Sequence, residues 1–107
     1  MEKREKLFIS LYNDYYGSLL TDYQRELIDG YYNLDMSLSE LAEEHNISPQ
    51  GVRDALKRAE KQLQFYEEKL ALVKKTQKVK ALIEEVIEES APAQRQKLKE
   101  AIDVLVE

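Results

Sequence analysis

Ser37–Leu72 reads SLSELAEEHNISPQGVRDALKRAEKQLQFYEEKLAL, and the interpretation of this stretch decides the fold. Ser37 followed by Glu40 is a capping-box pair, in which hydroxyl and carboxylate each satisfy a backbone N–H left over at a helix start. A helix therefore begins at about Leu38. Leu38, Leu41 and Ala42 give it an apolar face, while Glu40, Glu43 and Glu44 point away from it. Asn46 is predicted to end this helix, because Asn tolerates left-handed backbone. Ser48 then caps the next helix, and Pro49 takes its first position, where a missing N–H costs nothing. Ile47 between them is read as the buried pin of the turn.

Two helices joined by so short a turn make a helix-turn-helix, whose second helix can lie in the major groove of DNA. Ala42 is small where the helices approach, Asn46 stands where such turns commonly carry Gly, and Val52 is apolar where the second helix packs back on the first. The side chains predicted to look outward from the second helix are Gln50, Arg53, Asp54 and Lys57, with Val52, Ala55, Leu56 and Ala59 facing the core. Gln50 suits adenine, Arg53 suits guanine or a phosphate, and Lys57 suits the backbone, since planar amide and guanidinium forks match base edges. Ser48 and the helix N-terminus can hold a phosphate. Asp54 would repel the backbone unless it accepts from a cytosine or pairs with a neighbouring cation. Arg58 and Lys61 add positive charge nearby.

The second helix does not stop where a reading helix normally would. Val52, Leu56, Ala59, Leu63, Tyr66, Leu70 and Val73 are spaced as a coiled-coil seam of about three heptads. Beyond about Lys61 this seam is expected to outrun the small core. Leu63, Tyr66, Leu70 and Val73 are then left to meet the C-terminal helices or a second copy of the chain, and a homodimer is expected.

Around this centre the chain reads as helix throughout. Leu7, Phe8, Leu11, Tyr12 and Tyr15 recur at helical steps from about Lys3 to Tyr16, and Gly17 ends that element. Thr21 can cap a second helix whose Tyr23, Leu27, Ile28 and Tyr31 point inward, and in which Gly30 is a weakness unless packing needs the room. The seven Tyr and two Phe, by their helical spacing, are assigned to the core rather than to base stacking. After Val73, KKTQKVK is expected to break the seam, with Thr76 capping or bending the chain. Val79, Leu82, Ile83, Val86 and Ile87 form a fresh helix, Pro92 breaks it, and Leu98, Ala101, Ile102 and Leu105 make a last one. The expected division is a helix-turn-helix domain over 1–72 and a helical extension over 73–107 for dimerisation or partner docking.

Composition agrees with an all-α chain. At 107 residues and 43% apolar content it can build one modest core, and three Gly and two Pro are few turn-formers. With no Cys there are no disulfides, thiolate zinc sites or cysteine nucleophiles, which suits a reducing compartment. No apolar run approaches the roughly 20 residues that span a bilayer, and MEKREKLFIS lacks a signal-peptide core, so a cytoplasmic protein without a membrane partner is expected. The net charge of −5 is unevenly spread: −6 over residues 1–47, +5 over 48–80 and −4 over 81–107. The basic segment coincides with the candidate reading helix and its continuation.

Catalysis is not expected. The lone His45 reads as a turn or cap residue, the pairs Glu84-Glu85 and Glu88-Glu89 lie on a solvated helix face, and neither a phosphate-cradling Gly loop nor a nucleophile motif is present. No catalytic residue, metal site, cofactor or small-molecule substrate is assigned.

Leu20–Leu70 resembles region 4 of bacterial sigma factors. More closely, the chain is similar to the YlxM family of small bacterial helix-turn-helix proteins, whose genes neighbour those of the signal recognition particle pathway. The resemblance covers Lys6 through Leu72. It rests on Asp22-Tyr-Gln-Arg-Glu, Ser37-Leu-Ser-Glu-Leu-Ala, Ile47-Ser48 before Gln50-Gly51-Val52-Arg53-Asp54, Lys57-Arg58-Ala59-Glu60 and Tyr66-Glu67-Glu68-Lys69-Leu70. It implies an all-α fold with a winged-helix-like or sigma region 4-like domain over 1–72, a regulatory role linked to protein targeting, and components of the signal recognition particle as partners. Members often carry Arg just after the capping Ser, where this chain has Pro49, which removes a cation that could pair with phosphate. Two functional readings follow: a nucleic-acid reader, DNA before RNA since the major groove of double-stranded RNA is too narrow for a helix, or an interaction adaptor that keeps the fold without reading DNA.

Overall fold

The Ser37 capping box closes, and Thr21 forms a second one with Gln24. Thr21 and Ser37 accept from the backbone N–H groups of Gln24 (3.2 Å) and Glu40 (3.0 Å), whose side chains accept in return from the cap residues' own N–H groups. They start two of the six helices in this computed structural model, which describes residues 3–106. The order is α1 (Lys3–Tyr16), a 3₁₀ turn (Gly17–Leu19), α2 (Asp22–Ile28) running into a π-helical turn (Asp29–Asn33), α3 (Leu38–His45), α4 (Pro49–Leu70), α5 (Leu72–Ile87) and α6 (Pro92–Val106). The fold is all-α. No strand occurs among the described residues, so the wing of a winged helix has no counterpart there.

The chain divides into two units, one up to Leu70 and one from Ala71. In the first, α1, α2 and α3 all pack on α4. Leu27, Ile28, Leu41, Val52, Ala59 and Leu63 are fully or almost fully buried. The π turn presses Gly30 against α3: a Cβ there would lie 2.7 Å from Leu41 Cδ2 and 3.3 Å from Met36 Sδ. Packing does need that room.

Several expectations are corrected. On α1 the inward stripe is Ile9, Asn13 and Tyr16, while Leu7 and Phe8 are exposed. A polar residue holds the centre of the stripe because the Asn13 amide donates to Asp29 Oδ1 at 2.7 Å, which offsets its burial. Tyr23 does not point inward. It is exposed, with its ring edge-on to His45 at 5.5 Å. Ile47 is no buried pin, for 36% of it is accessible.

Nor does α4 outrun its core at Lys61. Leu63 is fully buried, because α1 accompanies α4 further than expected: the Tyr16 phenol donates to Glu67, and the Tyr16 and Tyr66 rings lie 6.0 Å apart. The break in the long helix falls at Ala71, in left-handed conformation (φ 52°, ψ 32°), and α5 runs unbroken through KKTQKVK. Lys and Gln are good helix formers, so that run has no reason to break. Left-handed backbone costs an L-residue about 1–2 kcal/mol.

In the second unit α5 and α6 pack against each other. The Arg95 guanidinium closes the turn between them by donating to the carbonyls of Ile87 (3.3 Å) and Ser90 (3.1 Å). Ile83, Ile87, Leu98 and Ile102 are half-buried, and Val73 alone among the described residues of this unit is buried.

Candidate nucleic-acid interface

The geometry of the α3–α4 turn depends on one residue. Asn46 adopts φ 60°, ψ 40°, and this left-handed step lets its own N–H reach Glu43 O (3.3 Å) and the N–H of Ile47 reach Ala42 O (3.0 Å). Carbonyls orphaned at the end of α3 are thereby satisfied. Ser48 Oγ then accepts from the Gly51 N–H at 3.0 Å, and Pro49 is the first residue of α4. Residues 46–48 are all that separate the helices, and Val52 at the start of α4 is completely buried beneath them.

The outward face carries the side chains expected there. Ser48, Gln50, Arg53, Asp54 and Lys57 are all exposed. Gln50 Nε2 donates to Asp54 Oδ1 at 3.0 Å, one turn along. Asp54 is thus engaged by a neutral amide rather than by the neighbouring cation the sequence suggested, and Gln50 keeps its carbonyl and second N–H for other partners. Arg53 and Lys57 edge a groove whose other walls are Tyr31, Leu38, Leu56 and Glu60. Tyr31 was missed as a site residue because helical spacing assigned it to the core. It is half-buried, stands edge-to-face with Tyr32 at 5.0 Å, and has Lys6 Nζ over its ring at 4.9 Å. Tyr31 stands 22 residues before Arg53, in the π-helical turn and outside both helices of the motif, so the spacing within α3 and α4 held no sign of it.

Charge on α4 is polarised. Arg53, Lys57, Arg58 and Lys61 are exposed on its first four turns. Glu60, Glu67 and Glu68 line a second groove with Phe8, Ile9, Tyr12 and Gln64. Glu60 is held by the Tyr32 phenol at 2.6 Å. The residues expected to form a seam do not share one exposed face: Leu63 and Val73 are buried, Tyr66 is half-buried, and Leu70 is exposed. The exposed Phe65, with Lys69 Nζ 5.6 Å from its ring centre, lies outside that expected set.

His45 ends α3, its side chain largely enclosed between Tyr23 and Glu26, with Nδ1 4.0 Å from a Glu26 carboxylate oxygen. Among the described residues no three His, Cys, Asp or Glu side chains cluster as metal ligands, and no helix is long and apolar enough to cross a membrane.

A supporting helix closed by a left-handed residue, a three-residue turn and a second helix anchored by an inward valine define a helix-turn-helix protein. Comparison with known sequences agrees. The chain belongs to the family UPF0122, described as "Putative helix-turn-helix protein, YlxM / p13 like", whose model matches residues 1–104. It is 57% identical over 82 residues to a UPF0122 protein of Caldanaerobacter subterraneus subsp. tengcongensis, covering 77% of this chain and 70% of that relative. It is 56% identical over 77 residues to one from Desulforamulus reducens, covering 71% and 66%. A UPF0122 protein of Halalkalibacterium halodurans is 43% identical over 90 residues, covering 84% and 72%. The matched part thus spans about two thirds of the Desulforamulus relative's length.

Proposed function

We propose that this protein is a cytoplasmic regulator that reads double-stranded DNA with the first turns of α4. The observation that carries the reading is the left-handed turn at Asn46, which seats Val52 inside and leaves Gln50, Arg53 and Lys57 outward on one short ridge. In this role Arg53 and Gln50 meet base edges, Lys57 and the Ser48 end of α4 meet phosphates, and Asp54 orients Gln50 through their hydrogen bond. The overall charge of −5 fits a protein that contacts DNA at one patch and is repelled elsewhere. The resemblance to YlxM proteins extends the proposal to regulation within the signal recognition particle pathway.

Titration of random-sequence DNA and of selected duplexes by fluorescence anisotropy tests this. Arg53→Ala is expected to weaken binding by about 1–3 kcal/mol, and Lys57→Ala to weaken it more uniformly across sequences while lowering the salt slope by about one. Both variants should unfold at the wild-type midpoint. Undetectable binding, or binding indifferent to salt, rejects the proposal.

A second reading is favoured by one specific observation. The groove lined by Phe8, Tyr12, Glu60, Glu67 and Glu68 is both aromatic and acidic, a surface that repels phosphate and suits a basic protein segment. In that adaptor role, capture of signal recognition particle components from cytosol would survive nuclease treatment and be unaffected by Arg53→Ala.

A further inference from the structure

The α5–α6 hairpin turns Ile83 and Ile87 half inward but leaves Val79, Leu82 and Val86 of α5 outside, at 41%, 54% and 53% exposure. At 3.6 residues per turn these three lie within about 60° of one another, a single strip along the helix. Two kinds of charge border it. Lys75 and Lys78 flank its first half, Glu85 flanks its second, and Glu89 follows in the turn after the helix; all four are exposed. Lys80 and Glu84 fall on the opposite side.

Along the strip the order is Lys75, Lys78, Val79, Leu82, Glu85, Val86, Glu89. Leu82 is its midpoint. Reversing the helix about Leu82 sets Lys75 level with Glu89, and brings Lys78 to within one residue of Glu85 and Val79 to within one residue of Val86, an offset of about 1.5 Å of helix rise. The strip is therefore its own electrostatic complement, but only when reversed. A parallel copy would set Lys75 against Lys75 and Glu89 against Glu89, and like charges beside an apolar seam oppose pairing. One occupant answers both the charges and the apolar centre of the strip: a second copy of the same helix, antiparallel.

We propose that α5 is the homodimer contact of this protein. Two copies pack Val79, Leu82 and Val86 across a two-fold axis at Leu82, with Lys75 and Lys78 of one facing Glu89 and Glu85 of the other, so that each contact occurs twice. This moves self-association away from the α4 seam, where Leu63 is buried, and it stands independently of the nucleic-acid reading. A 16-residue helix is about 24 Å long, so the contact is modest and the dimer dissociates on dilution.

Sedimentation velocity of the full chain between roughly 1 and 100 μM, the range in which modest interfaces dissociate, should show monomer passing to dimer. Lys75→Glu/Lys78→Glu and Glu85→Lys/Glu89→Lys are each expected to remain monomeric with the unfolding midpoint of the first unit unchanged, and an equimolar mixture of the two to dimerise again. Orientation is read separately, because the chain has no cysteine of its own. Leu82→Cys should oxidise to a self-linked dimer, whereas Lys75→Cys should link to Glu89→Cys and not to itself. A wild type that stays monomeric, charge variants that still dimerise, a mixture that stays monomeric, or self-linking through Lys75→Cys would each overturn the proposal.

Discussion

Asn46 determines whether α3 and α4 form a turn or a longer rod, and it does so with backbone conformation alone. Its left-handed φ of 60° is the condition for the Ile47 N–H to reach Ala42 O. Replacement by Ala keeps the space but adds the strain that a simple Cβ residue suffers in that region, while Gly suffers none. We expect Asn46→Ala to lower the unfolding free energy by about 1 kcal/mol and Asn46→Gly to leave it within about 0.5 kcal/mol, measured by urea titration. Gly17 answers a different demand: a Cβ there would sit 2.6 Å from Asn13 Oδ1, a buried oxygen without a hydrogen-bond partner. The polar stripe of α1 and the glycine that ends it are thus one packing unit.

At the scale of elements, α4 supports the whole of the first unit, and its buried positions Val52, Leu56, Ala59 and Leu63 repeat at four and three residues. Leu63→Ala is expected to cost about 2–5 kcal/mol, the range for removing a buried leucine, without changing the dependence of sedimentation on concentration. A loss of self-association at unchanged stability would return Leu63 to the interface. The helices of the first unit were legible in the sequence because their ends are written in side chains: Ser37 with Glu40, Thr21, Asn46, and Ser48 with Pro49. The outward set Ser48, Gln50, Arg53, Asp54 and Lys57 was legible for the same reason, since fixing the start of α4 fixes its faces. What could not be read has no side-chain signature. Ala71 is the best of helix formers, yet it is the residue at which the long helix ends. The stripe through Asn13 was hidden because its burial depends on Asp29, sixteen residues away.

For the whole molecule the two units are unequal. All the buried apolar side chains among the described residues except Val73 lie before Ala71. Residues 1–70 alone are therefore expected to unfold cooperatively, whereas a peptide of residues 71–107 should be largely unfolded when dilute and gain helicity with concentration as its α5 strips meet. Circular dichroism of the two fragments over a concentration series checks this; a dilute 71–107 peptide with full helicity would show that the hairpin needs no partner. The first unit also carries its own optical label. The chain has no tryptophan, so its emission comes from tyrosine, and the Tyr16 and Tyr32 phenols are tied to the carboxylates of Glu67 and Glu60. A carboxylate that accepts from a phenol quenches its fluorescence, which makes brightness a gauge of whether α1 and the π turn remain seated on α4, with no dye attached and no residue changed.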